Sequence, residues 1–233
     1  MTLDVIADNL AAVRARIDAA ARRVERDPGG ITLVAVSKTF PPEHVRAAFA
    51  AGHLDFGENK VQEALEKIDA TTDIPTLRWH LIGHLQSNKA RKAAARFAVI
   101  HSMDSVELLR RVDAAAAENE AHPDVLVQVD LAREATKFGA SVEVARRIVD
   151  TALEARAVRL SGLMLMPPWN DDQEQTRPWF RKLKALRDEW IASGVPEASL
   201  RHLSMGMSHD FEAAIEEGAT MVRVGTAIFG RRT

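Results

Sequence analysis

From Ile31 onward the chain alternates short apolar or β-branched runs with longer amphipathic segments, and it does so eight times. The predicted strands are Ile31–Lys38, Leu54–Asn59, Arg78–His84, Ala98–Met103, Asp124–Leu131, Arg159–Met166, His202–Met207 and Met221–Thr226. The predicted helices between them are Glu43–Ala51, Val61–Ile68, Asn88–Ala95, Ser105–Glu120, Ser141–Glu154, Thr176–Ser193 and Ser208–Glu217. Ser105, Ser141, Thr176 and Ser208 are the expected N-cap residues, and Pro41-Pro42 opens the first of these helices. Strict strand and helix alternation demands parallel strands with crossover helices, and eight such strands close into a ring more readily than they lie open. The expected fold is α/β, a single (β/α)8 TIM-type barrel occupying residues 1–233 as one domain. A doubly wound open sheet lacks its usual marker here. Val36-Ser37-Lys38-Thr39-Phe40-Pro41 stands where a Gly-x-Gly-x-x-Gly turn would follow the first strand.

Ahead of the barrel, Leu3, Ile6, Leu10, Val13, Ile17, Ala20 and Val24 recur in three- and four-residue steps, with Arg14, Arg16, Arg22 and Arg23 off the stripe. Three repeats ending at Asp27-Pro28-Gly29-Gly30 are too few for a coiled coil, so this extra N-terminal helix is expected to pack on its own domain. It would cover the side where an eighth outer helix otherwise sits. Its exposed face leaves the chain a monomer or a weak homodimer.

A formal net charge of −2 with 27% charged residues carries no electrostatic footprint for nucleic acid or an anionic membrane. Small or neutral partners are expected. No apolar run approaches the roughly 18 residues of a membrane span, and Met1-Thr2-Leu3-Asp4 has an acid where a signal peptide would be basic, so the mature chain is expected to begin at Met1. The sequence holds no cysteine, which removes disulfides, thiolate metal sites and cysteine nucleophiles and points to a reducing cytoplasm. It also holds no tyrosine, so no phenol can serve as an acid or base.

Barrels of this kind place their chemistry at the C-terminal ends of the strands. Lys38 closes the first predicted strand on the face of Thr32, Val34 and Val36. If that face is the interior, the amine emerges at the mouth of an apolar tube, where desolvation favours the neutral, nucleophilic form. Arg223 interrupts an otherwise apolar eighth strand and needs an inward partner or an outward path. Gly225 and Thr226 follow it, and Leu203-Ser204-Met205-Gly206-Met207-Ser208 ends the seventh strand. Loops after these two strands are a frequent barrel site for phosphate. A phosphate-bearing aldehyde facing Lys38 would use all three pieces. Asn59 either meets a bound ring or caps the next helix. His80 and His84 have metal-ligand spacing but sit on a predicted strand without an intervening glutamate, and no metal is expected. Lys137 is a competing amine that a loop position keeps solvated.

The segments Val36–Thr39, Phe56–Glu63, Trp79–Lys89, Leu203–Ser208 and Val222–Gly230 together resemble the pyridoxal phosphate homeostasis protein family, in matching order from about Ile31 to Gly230. That family is similar to the N-terminal barrel domain of alanine racemase. The resemblance implies that Lys38 holds pyridoxal phosphate as an imine. It also implies that Ser204, Gly225 and Thr226 take the phosphate, that Asn59 lies beside the ring and that Arg223 faces the pyridine nitrogen. A guanidinium there disfavours protonation of that nitrogen and discourages carbanion chemistry. Racemisation in the racemase needs a tyrosine from a second domain, and this chain has neither.

The expected function is therefore cofactor homeostasis: buffering pyridoxal phosphate and passing it to apo-enzymes, with little or no catalysis. A racemase-like enzyme using His80 or His84 as second base is the first alternative. A cofactor-free Schiff-base phosphosugar aldolase is the second. The long loop from Pro167 to Gln173 lies on the expected ligand face, where loops of that length are often lids.

Overall fold

All eight apolar runs form strands, and each pairs in parallel with its neighbour in sequence until the eighth closes on the first. The computed structural model describes residues 4–132 and 138–230. The strands are β1 (Thr32–Val36), β2 (Asp55–Glu58), β3 (Arg78–Leu81), β4 (Val99–Met103), β5 (Asp124–Gln128), β6 (Arg159–Met164), β7 (His202–Met207) and β8 (Met221–Val224). Several are shorter than the apolar runs that contain them. β1 ends before Lys38, β3 before His84 and β8 before Thr226, so these residues stand on the loops that leave the strands. Just past β3, Ile82 still donates its N–H to the Glu58 carbonyl at 2.9 Å, and Ile82 and Met166, past β6, both line a cavity. Apolar residues that line this space carry the runs past the strand ends.

The helices are α1 (Asp4–Arg23), α2 (Pro42–Ala50), α3 (Val61–Ala70), α4 (Ala90–Arg96), α5 (Val106–Glu118), α6 (Val142–Leu153), α7 (Arg177–Ala192), α8 (Phe211–Glu216) and α9 (Thr226–Phe229). Ser105 and Ser141 cap α5 and α6, accepting from the backbone N–H of Leu108 and Val144. Thr176 holds the N-cap position of α7 without a side-chain cap bond, and Ser208 does not cap. The Thr176 hydroxyl donates to the Gln173 carbonyl at 2.6 Å. α8 begins only at Phe211, and the Ser208 hydroxyl accepts from the Gly225 N–H at 3.1 Å. After β8 the described residues form the single turn of α9, and α1 packs across α2, α8 and α9 in the place of a longer eighth outer helix. Ile6, Leu10, Val13, Ile17 and Ala20 are its buried stripe, while Arg16 and Arg23 reach Glu212 and Glu216 on α8. Among the described residues no helix is long and apolar enough to cross a membrane.

Side-chain alternation divides the strands into two environments. Leu33, Phe56, Leu203 and Val222 face outward into the main core shared with the helices. Val99, Leu126, Met164 and Met221 form a separate small cluster inside the ring. The rest of the interior holds Val34 and Val36 together with a polar column, His80, His101, Ser204 and Arg223, all buried. That polar column lies beneath the open end of the barrel.

Candidate functional site

A cavity of about 680 Å³ opens where the strands end, within the size range of small-molecule sites. Val36, Ile82 and Met207 give it apolar walls, and Lys38, Asn59, Ser208, Arg223, Gly225 and Thr226 add polar groups to the same lining. Five of the six residues assigned from the sequence thus meet around one space. The sixth, Ser204, is fully buried below it. Its hydroxyl lies 2.9 Å from His101 Nδ1 and accepts from Arg223 at 2.7 Å. The serine on the cavity wall is Ser208. Positive φ at Gly206 (91°) bends the chain between them, and an added Cβ there would lie 2.6 Å from Ala214 Cβ, so the turn demands glycine.

Lys38 rides on a braced turn. Below it the buried Lys67 ammonium donates to the Ser37 carbonyl and to Glu58 Oε1, both at 2.7 Å, and to Glu63 at 2.9 Å. The Ser37 hydroxyl also donates to Glu58, and the Thr39 N–H donates to Glu63. Thr39 itself holds a φ of 69°, a conformation that a β-branched residue adopts only under constraint. Burial pushes the Glu58 carboxyl up against the opposing pull of Lys67 and Ser37, and its Oε2 is buried without a hydrogen-bond partner. Sequence reading missed this brace, because a lysine on an amphipathic helix ordinarily signals a solvated face.

Arg223, 3% exposed, donates to Ser204 and to the Leu165 carbonyl, which supplies the inward partner its position requires. Burial lowers its guanidinium to about 10. Asn59 does not cap α3, whose N-cap is Lys60, and its backbone packs tightly against Gly83. His84 joins the cavity wall, stacks on Phe138 at 3.8 Å and meets Asp104 at 3.1 Å. Trp169, on the loop after β6, also lines the space and lies 5.0 Å from the ring of His209. His80 is elsewhere, buried in the barrel between Asp55 and His101. Among the described residues no group of three or more His, Asp or Glu is placed to hold a metal ion. Lys137 lies outside the described residues.

Chemically, the lining offers a primary amine for a carbonyl carbon, a hydroxyl and a strand-end loop for an anion, apolar walls for a ring and a guanidinium for a ring acceptor. The donor set matches a flat, phosphorylated heteroaromatic aldehyde.

The family model for the alanine racemase N-terminal domain matches residues 9–233. A protein of Aquifex aeolicus named pyridoxal phosphate homeostasis protein is 43% identical, the match covering 97% of each chain. The chain is also similar to PipY of Synechococcus elongatus, solved with PLP bound. That match has a TM-score of 0.86 and 39% identity over 97% of this chain and all of that one. An alanine racemase of Clostridium difficile shares the fold at 18% identity and a TM-score of 0.71, with only 57% of its length covered. The chain belongs to the alanine racemase N-terminal domain family, and within it to the full-length relatives named pyridoxal phosphate homeostasis proteins.

Proposed function

We propose that the chain binds pyridoxal phosphate in this cavity, buffers it and hands it to apo-enzymes that require it. The observation that carries the reading is the convergence of Lys38, Asn59, Ser208, Arg223, Gly225 and Thr226 on one apolar-walled space. When bound, the cofactor supplies an electrophilic aldehyde that a primary amine takes up reversibly. Lys38 is the amine at that position. Ser208 and the Gly225-Thr226 loop receive the phosphate, Val36, Ile82 and Met207 enclose the ring, and Asn59 lies at its side. Arg223 presents guanidinium N–H groups to the ring nitrogen and so disfavours a proton there, which weakens the ring as an electron sink. Storage and release suit that electronic setting better than carbanion chemistry does. The cytoplasm is the proposed compartment, since the chain has no cysteine to lose or gain by oxidation.

The test is a titration of the purified chain with pyridoxal phosphate. A near-visible absorption band is expected in the wild type, absent from Lys38→Ala and weakened by competing inorganic phosphate. A Lys38→Ala variant that keeps the full band sinks the assignment. One observation favours a second reading, a racemase-like enzyme: His84 lines the same cavity and is oriented by Asp104, as a general base would be. Exchange of the α-hydrogen of alanine for deuterium at useful turnover, lost in His84→Gln, would favour that reading.

A further inference from the structure

Five buried or half-buried side chains form an unbroken line through the barrel. Arg223 on β8 donates to Ser204 Oγ on β7 at 2.7 Å, and Ser204 Oγ lies 2.9 Å from His101 Nδ1 on β4. His101 Nε2 lies 2.9 Å from His80 Nδ1 on β3, and His80 Nε2 lies 2.9 Å from Asp55 Oδ1 at the start of β2. The direction of every bond follows from its two ends. A guanidinium only donates and a carboxylate only accepts. Burial by itself would raise the Asp55 carboxyl, but the His80 bond and nearby Arg78 outweigh it and keep the group ionised, so His80 Nε2 carries a proton. Burial also lowers both imidazoles, His101 well below the ordinary value, so each is neutral with a single N–H. His80 Nδ1 then accepts from His101 Nε2–H, and His101 Nδ1 accepts from the Ser204 hydroxyl. All four bonds run one way, from the cation to the carboxylate.

We propose that Ser204, His101, His80 and Asp55 are positioning residues, a one-way hydrogen-bond relay that locks the Arg223 guanidinium in the orientation it presents to the cavity. Neither direct partner of Arg223, the Ser204 hydroxyl or the Leu165 carbonyl, carries a charge. The relay connects that buried cation to a carboxylate at the far end of the barrel, and bonds aligned head to tail polarise one another. The part of the proposal that concerns a ring nitrogen rests on the cofactor reading above, whereas the lock on Arg223 does not.

The two are tested separately. In the full chain without cofactor, side-chain nitrogen NMR at neutral pH should show His80 and His101 as neutral Nε2–H tautomers. The Arg223 Nη1–H should exchange slowly with solvent, and Ser204→Ala should speed that exchange at least tenfold, while Ser204→Thr, which keeps the hydroxyl, should restore it. An Nδ1–H tautomer at either histidine, or unchanged Arg223 exchange in a folded Ser204→Ala protein, overturns the relay. With pyridoxal phosphate added, Ser204→Ala and His101→Gln should shift the absorption band and its pH profile, with Ser204→Thr close to wild type. If the cofactor fails to bind even the wild type, the cofactor reading falls and the NMR arm still decides the relay.

Discussion

Lys67 Nζ and Glu58 Oε1 lie 2.7 Å apart with side-chain exposures of 5% and 0%, directly beneath the turn that carries Lys38. Removing one partner of a buried pair strands the other charge, at a cost of about 3–5 kcal/mol. Lys67→Met is therefore expected to lower the unfolding free energy by about that amount and to weaken pyridoxal phosphate binding. Adding Glu58→Leu should recover much of the stability, because a well-packed apolar pair can replace a buried ion pair. It should not recover affinity, since the brace on the Ser37 carbonyl is still missing. Denaturant unfolding and cofactor titration of both variants check the separation. Equal recovery of the two quantities would show that the brace plays no part in positioning Lys38.

Ser208 and Ser204 sit four residues apart on one segment, and the structure gives them different partners. Loss of a hydrogen bond to a charged group costs about 1.5–3 kcal/mol. Ser208→Ala is expected to reduce cofactor affinity by about tenfold or more and to blunt competition by inorganic phosphate. Ser204→Ala should leave phosphate competition in place and act through Arg223 instead. Phosphate inhibition curves on the two variants distinguish them, and identical curves would contradict the assignment.

The barrel was readable from local pattern because each strand and helix declares itself within its own residues: alternation in β1, the stripe of α1, the hydroxyl caps of α5 and α6. The cavity was readable in part for the same reason, since Lys38, Arg223 and Gly225 each stand at or near a strand end. Depth was not readable. Period two shows that Ser204 points inward, but the shift in register between β7 and β8 and the turn at Gly206 decide that Ser208, not Ser204, reaches the wall. His101 gave no signal at all, because its partner Ser204 is 103 residues away and a single histidine in an apolar run has no local signature. The Lys67 brace was hidden likewise by a helix pattern that expects lysine in water.

Gly83 supports Asn59 through space that only a hydrogen atom can share. A Cβ at Gly83 would fall 2.2 Å from the Asn59 carbonyl oxygen and 2.8 Å from its Cα, and both atoms are backbone. Gly83→Ala must displace the loop after β2, at about 1–3 kcal/mol for overpacking. Weaker cofactor binding is expected, together with a shifted absorption band, while the melting transition stays cooperative. A variant with wild-type affinity would show that the position of Asn59 does not matter to the bound ring.

Acid should weaken the fold through its buried histidines. Burial, opposed by a bond to the Asp55 carbonyl and aided by Arg14, brings the His53 imidazole down from 6.5 to about 4. Burial and then Arg201 bring His202 to about 4 as well. Between those two values the unfolded chain binds a proton that the native chain refuses, so stability is complete above about pH 6.5 and drains away as pH falls towards 4. For His53 the full loss is about 3 kcal/mol, the half-exposed His202 adds less, and His80 and His101, both lowered chiefly by burial, act in the same direction. Glu58 and Asp104, both raised chiefly by burial, act in the opposite direction and soften the slope. Denaturant unfolding at a series of pH values from 7.5 to 4.5 should show the decline, and His53→Gln should flatten it. Parallel curves for the two proteins would mean that His53 takes up its proton as readily in the barrel as in the open chain.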